Sequence, residues 1–242
     1  MQEANRLQKA LKLGRPSYGG WQMLPGTNLT RVMCRAATNM DWLLIDLEHG
    51  NISDDSMHEI VAATAACGVS PIVRVVEGQH WMIKRALDSS AHGILVPVLE
   101  TVQDAKNVVQ ASKFPPMGTR GFEPLLAVEK FVERLPGGGV RELTGRDYLE
   151  QANSSLVIAV QIETKSALEN VEEIARVPGI DVLFAIQSVQ KAAQDAGIVA
   201  GIYCDSGEDA KEWASKGFLM NNVMTDMIGL RQIVSETFKS AE

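Results

Sequence analysis

The chain has 242 residues, 45% hydrophobic and 22% charged, which is the balance of a folding globular chain and excludes a disordered one. With 23 Lys and Arg against 30 Asp and Glu the formal charge is −7, which excludes nucleic-acid binding through a basic face. The length fits two small domains or one α/β barrel, for which about 250 residues is typical.

The first twenty residues carry scattered charges and no apolar core, so they predict neither a signal peptide nor an anchor. No segment approaches the roughly 18 apolar residues of a membrane-spanning helix. Cys34, Cys67 and Cys204 are an odd number at wide spacing, which predicts free thiols in a reducing cytoplasm.

In chain order, short apolar runs predict strands at 18–24, 42–48, 71–76, 93–99, 156–163, 180–185, 199–204 and 218–225. The segments between most of them have helical period. Asp54, Thr101, Thr164 and Ser206 stand where helices open, and Gly68, Gly197 and Gly217 where they close. The long stretch 115–146, containing Gly137, Gly138 and Gly139, reads as an irregular, flexible loop. Strands apolar on both faces that alternate with helices predict a parallel sheet covered by helices. Eight such units predict a single (β/α)₈ barrel over residues 1–242, with a doubly wound open sheet as runner-up. Neither a Gly-x-Gly-x-x-Gly after the first strand nor a Walker motif is present, so the nucleotide-binding open sheets lose weight.

Polar residues at strand ends carry the functional expectation. The second predicted strand ends Asp46-Leu47-Glu48-His49, the third contains Arg74, and the fifth ends Gln161-Ile162-Glu163. Each alone could be a paired structural group, but three strands ending this way on one rim suggest a site. Gln161 and Glu163, two apart, share a face of their strand, and a carboxylate in a barrel mouth is a natural ligand for Mg²⁺ or Mn²⁺. His49 is the candidate general base on the rim. His58, His80 and His92 read as surface or packing residues, and on periodicity alone Asp88 reads as a solvated helix carboxylate.

Together, DWLLIDLEHG (41–50), PIVRV (71–75), ILVP (94–97), PPMGTRG (115–121), VQIET (160–164) and AGIYC followed by SG (200–207) resemble the HpcH/HpaI family of class II pyruvate aldolases. The similarity runs in order over nearly the whole chain. The resemblance implies a (β/α)₈ barrel, assembled as a trimer or as a hexamer of two trimers with the last helix exchanged between neighbours. It implies His49 as the base, Asp88 as its dyad partner, Arg74 as the group holding the keto or enolate oxygen, Glu163 as a ligand to Mg²⁺ or Mn²⁺, and Gln161 beside the metal. The implied reaction cleaves a 4-hydroxy-2-oxo acid into pyruvate, or a related 2-keto acid, and an aldehyde. No lysine ends a strand, which argues against a Schiff-base aldolase.

One element of the family pattern is missing. Relatives have a Gly-Pro-x-Asp-Leu-Ser loop after the sixth barrel strand, supplying a second carboxylate ligand and backbone N–H groups for the substrate carboxylate. Here GIDVLF (179–184) passes directly into AIQSVQKAAQDAG (185–197), so the connection after Phe184 is incomplete by roughly two dozen residues, consistent with a slightly short barrel. Asp181 lies at the wrong end of its strand to substitute, and Asp205 would have to reach across. Metal binding and activity are therefore expected to be weak or absent. Three functions follow: an aldolase or lyase; a non-catalytic homologue or isoform serving assembly or binding; and a CoA-thioester lyase of the citrate lyase type, disfavoured because no basic cluster is present for a nucleotide.

Overall fold

The computed structural model of the chain describes all residues except 2, 136, 186–188 and 241–242. In chain order the elements are α1 (Arg6–Lys12), β1 (Ser17–Gln22), α2 (Thr27–Ala36), β2 (Trp42–Asp46), α3 (Asp54–Ala66), β3 (Ser70–Arg74), α4 (His80–Asp88), β4 (Gly93–Val96) and α5 (Val102–Ser112). They continue with α6 (Pro124–Val128), β5 (Val132–Arg134), β6 (Val140–Glu142), α7 (Gly145–Ser155), β7 (Val157–Ile162), α8 (Lys165–Glu169) and α9 (Val171–Ala175). The last are β8 (Val182–Ala185), α10 (Gln190–Asp195), β9 (Val199–Ile202), α11 (Gly207–Ser215), β10 (Met220–Thr225) and α12 (Asp226–Lys239). Strands β1, β10, β9, β8, β7, β4, β3 and β2 close in that order into one barrel, every neighbour pair parallel. The predicted (β/α)₈ barrel is the observed fold, and the open sheet is excluded.

Strand periodicity divides the apolar residues into two layers. Trp21, Trp42, Leu44, Ile72, Leu95, Val157, Ala159, Val182, Phe184 and Met220 pack inside the barrel. Their chain neighbours Ile45, Val73, Ile94, Ile158, Val160 and Leu183 join the larger core beneath the helices. Gly19 is required by this packing, since a Cβ there would overlap the buried indole of Trp42. By the same parity Asp46, Arg74 and Gln161 follow inward-facing Leu44, Ile72 and Ala159, and so face the barrel lumen at its C-terminal end.

Three differences from the sequence reading have local causes. The helix expected from 164 breaks at Asn170, whose amide donates to the carbonyls of Glu100 and Ser166 and competes with helix continuation. The stretch 115–146 is partly ordered into α6 and the β5–β6 hairpin, with Gly137 and Gly138 at positive φ in its turn, so it is not simply a loop. Thr101, Thr164 and Ser206 do cap helices, but at α3 the cap is Ser53 and Asp54 is the first helical residue. Gly68, Gly197 and Gly217 close helices at positive φ, as expected. Among the described residues no helix is long and apolar enough to cross a membrane.

Candidate active site

The rim is organised by one buried ion pair. Asp46 and Arg74 are register partners at the ends of β2 and β3. The guanidinium grips the carboxylate side-on, Nε to Oδ1 at 2.9 Å and Nη2 to Oδ2 at 2.6 Å. Asp46 also accepts the Trp21 indole N–H at 3.0 Å and the backbone N–H groups of Glu48 and His49. Burial pushes the Asp46 carboxyl up, but the hydrogen bonds from Arg74 and Trp21 and the Arg74 charge outweigh it, and the pKa falls below the ordinary carboxylate value. Arg74 lies 4.7 Å over the Trp21 ring. Nη1 meets Glu48 Oε2 at 2.8 Å and Gln161 Oε1 at 3.3 Å. Of its five N–H donors, one on Nη2 is left for a substrate oxygen.

The turn after β2 presents Glu48 and His49. His49 is largely exposed, with Nε2 3.7 Å from Glu48 Oε1. Gly50 makes the turn possible, because a Cβ there would overlap the Asp46 carbonyl oxygen and lie 2.8 Å from that of Met23. We expect Gly50→Ala to leave the barrel folded, by circular dichroism, while displacing His49 and lowering kcat/KM at least about a hundredfold, as a misplacement of about 1 Å does.

Glu163 stands just past β7. Its Oε1 accepts the Val98 N–H at 2.8 Å and its Oε2 the Gln161 amide at 3.2 Å. Val98 holds φ = 51°, a strained conformation for a β-branched residue. Glu48 Oε2 is buried, with Arg74 as its ion-pair partner. The Glu48 carboxyl is pushed up by burial, against the charges of Arg74 and His49, and further up by the charge of Glu163. Two neighbouring carboxylates, one of them held up in part by the charge of the other, fit a cation between them. Among the described residues no three acidic, His or Cys side chains are placed to hold a metal ion together, so this donor set fits a weakly held cation only.

Above these groups lies a mouth of about 440 Å³, lined by Trp21, His49, Arg74, Gln161, Phe184 and Tyr203 among others. Trp21 packs against Phe184 and, edge-on, against Tyr203, whose hydroxyl is 2.7 Å from Thr225 Oγ1. The structure therefore brings together His49, Arg74, Gln161 and Glu163. Sequence reading set Asp46 and Glu48 on the rim without a role and passed over Trp21, although the inward parity of Trp21 and Asp46 was readable.

Asp88 lies elsewhere. Its carboxylate accepts from Arg120 Nη2 at 2.9 Å, and Arg120 also donates to the Tyr148 hydroxyl and stacks on Phe114. Among the described residues no hydrogen bond or ion pair joins Asp88 to His49, so the dyad is not made within this chain. Asp88 is also not the solvated carboxylate that helix periodicity suggested, because it is ion-paired to a buried guanidinium. His92 is fully buried, stacked on Phe131 and pushed down to about 3 by burial, which makes it a packing residue. Asp181 is bound to the Ile158 N–H at the opposite barrel end. The incomplete connection after Phe184 falls on 186–188, outside the described residues.

A closed parallel barrel with a guanidinium, carboxylates and an imidazole gathered on its C-terminal rim is the frame of a (β/α)₈ enzyme. A profile of the HpcH/HpaI aldolase/citrate lyase family matches residues 22–188, and the chain belongs to that family. It is 37% identical over 174 residues to 2-dehydro-3,6-dideoxy-6-sulfogluconate aldolase of Pseudomonas putida, covering 72% of this chain and 63% of that protein. It is 32% identical to hydroxypyruvate/pyruvate aldolase of Paraburkholderia phytofirmans, covering 96% and 97% of the two chains. That alignment runs over 261 positions, more than the 242 residues of this chain, so it carries gaps on this chain's side. The crystal structure of an HpcH/HpaI aldolase/citrate lyase family protein from Burkholderia cenocepacia J2315 superposes with a TM-score of 0.85 at 27% identity, covering 98% of this chain and 99% of that one.

Proposed function

We propose that this chain is a class II, metal-assisted carbon–carbon lyase that cleaves 4-hydroxy-2-oxo acids into a pyruvate-type 2-keto acid and an aldehyde. The observation that carries the reading is the Asp46–Arg74–Glu48–Gln161–Glu163 network at the barrel mouth. Glu163 and Glu48, with the Gln161 amide beside them, would hold Mg²⁺ or Mn²⁺, which supplies Lewis-acid polarisation of a 2-keto acid when bound. Arg74, fixed by Asp46 and Trp21, directs its remaining Nη2–H at the keto oxygen where negative charge develops as the C3–C4 bond breaks. His49, carried on the Gly50 turn, takes the proton from the 4-hydroxyl and returns it in the aldol direction. The Trp21 and Phe184 faces exclude water from the developing carbanion.

The reading includes a weakness at the metal. Between Ala185 and Val189 the sequence has only Ile186, Gln187 and Ser188, none of them a carboxylate, and the family match ends at residue 188. The gaps on this chain's side of the alignment accord with a chain shorter than that relative. We expect the purified chain to hold no stoichiometric Mg²⁺ or Mn²⁺ by elemental analysis, and a coupled retro-aldol assay to release pyruvate only with Mn²⁺ added in excess. Tightly held stoichiometric metal contradicts the weakness. An intact oligomer that gives no turnover at saturating Mn²⁺ selects the second reading, a non-catalytic homologue, which the same gap favours.

The assembly implied is a homo-oligomer. Met227, Ile228, Leu230, Ile233, Val234 and Phe238 of α12 are all exposed. A groove of about 380 Å³, lined by Tyr18, Gly19, Met40, Lys211, Val223 and Met224 among others, runs on the outer face of β1 and β10 between α2 and α11, where an eighth helix would lie. A bare helix and an open helix position in one chain support exchange of α12 between copies. Free thiols at Cys34, Cys67 and Cys204 accord with a cytoplasmic location.

A further inference from the structure

The mouth is short of positive charge. Its cavity shares Gln161, Phe184 and Tyr203 with a second cavity of about 540 Å³ that adds Glu163, Cys204, Asp205, Asp209 and Glu212. Among the described residues lining the two spaces, Arg74 is the sole Arg or Lys, and it already meets two carboxylates, Asp46 and Glu48. Glu212 has a partner in Lys216, whereas no hydrogen bond or ion pair to the carboxylates of Asp205 and Asp209 occurs among the described residues.

The excess is felt by the walls. Cys204, a buried thiol in the second cavity, is pushed up to about 11 by burial and then by the charges of Asp209 and Asp205. Besides the imidazole of His49, the remaining lining of the mouth carries no ionised group: Trp21, Met23, Tyr203, Thr225, Met227 and Ile228. The donor keto acid brings one negative charge, which Arg74 and an added cation meet. A second anionic group, carried by the acceptor aldehyde, would find no further Arg or Lys and, in the adjoining cavity, the carboxylates of Asp205 and Asp209.

We propose that this site selects uncharged acceptor aldehydes, hydroxylated or apolar, against carboxylated, sulfonated or phosphorylated ones, through the unneutralised carboxylates of Asp205 and Asp209 beside a mouth whose one guanidinium is already engaged. The inference rests on the aldolase reading. Because clefts focus the field of exposed charges and salt screens it, the preference falls as ionic strength rises.

The test uses the full chain with added Mn²⁺ and pyruvate as donor, comparing glycolaldehyde with succinic semialdehyde. The expected kcat/KM ratio favours glycolaldehyde by roughly tenfold or more at low salt and shrinks at high salt. Asp205→Lys and the double variant Asp205→Asn/Asp209→Asn narrow it by raising the rate with the anionic acceptor. Exchange of the pyruvate methyl protons for deuterium, followed by NMR for every variant, reports donor activation without any acceptor. Equal use of the two acceptors, or a ratio insensitive to both salt and the substitutions, while methyl exchange persists, overturns the charge selection and leaves the aldolase reading standing. Absence of methyl exchange at saturating Mn²⁺ overturns the aldolase reading instead. Selection is then read from binding, by titrating the ¹⁵N-labelled chain with each aldehyde and following the Trp21 indole N–H. Tighter binding of succinic semialdehyde overturns the proposal, and tighter binding of glycolaldehyde upholds it.

Discussion

Replacing Arg74 with alanine is expected to cost both activity and stability. The substitution strips two charge-assisted hydrogen bonds from Asp46, which is fully buried, and leaves its carboxylate with no cation. Removing one partner of a buried ion pair costs about 3–5 kcal/mol, most of it the penalty of the stranded charge. In activity, loss of one preorganised donor at the developing oxyanion corresponds to about 10²–10³ in kcat. The two effects separate by pH. The folded Asp46 pKa is depressed, so its contribution is present above the unfolded carboxylate pKa and lost as the pH falls through the lower, folded value. In Arg74→Ala, burial dominates and the Asp46 pKa rises, so mild acid protonates the stranded carboxyl and relieves part of the penalty. Urea denaturation from pH 7 down to about pH 2 should show wild type losing this contribution mainly below about pH 4, while the variant loses less. The double variant Asp46→Asn/Arg74→Met should be more stable than Arg74→Ala alone, because it strands no charge. A double variant as unstable as the single would mean that the cost lies in packing against Trp21.

The second large effect concerns α12. Burying an apolar side chain of this size contributes about 1.5–3 kcal/mol, and the helix offers six outside the core of its own chain. Leu230→Glu/Val234→Glu leaves Asp226, which holds the backbone N–H groups of Met23 and Leu24, untouched. Sedimentation velocity should find the wild type as a trimer or hexamer and the double variant as a monomer, with unchanged far-ultraviolet circular dichroism. A wild type that sediments as a monomer, or a variant of wild-type mass, removes helix exchange from the account.

Both effects arise at places the sequence exposes unevenly. The barrel was legible because its strands are apolar on both faces and its helices carry caps and closing glycines at the right spacing. Arg74, Gln161 and Glu163 were legible as polar residues where an apolar strand should end. Asp46 and Glu48 stood in the same run as His49, but their joint grip on Arg74 depends on the β2–β3 register, which a single strand does not show. The ion pair of Asp88 was hidden because Arg120 lies 32 positions away, in a stretch without periodicity. The β5–β6 hairpin escaped for a similar reason, since Val132–Arg134 and Val140–Glu142 are too short to establish a period of two.

Val98 carries a consequence of a different kind. Its backbone is held in a left-handed conformation, a cost of about 1–3 kcal/mol, and its N–H anchors the carboxylate proposed as the metal ligand. Glycine at position 98 would relax the backbone, yet the same relaxation would loosen the strap on Glu163. Backbone relief and a fixed Glu163 therefore pull this one residue in opposite directions.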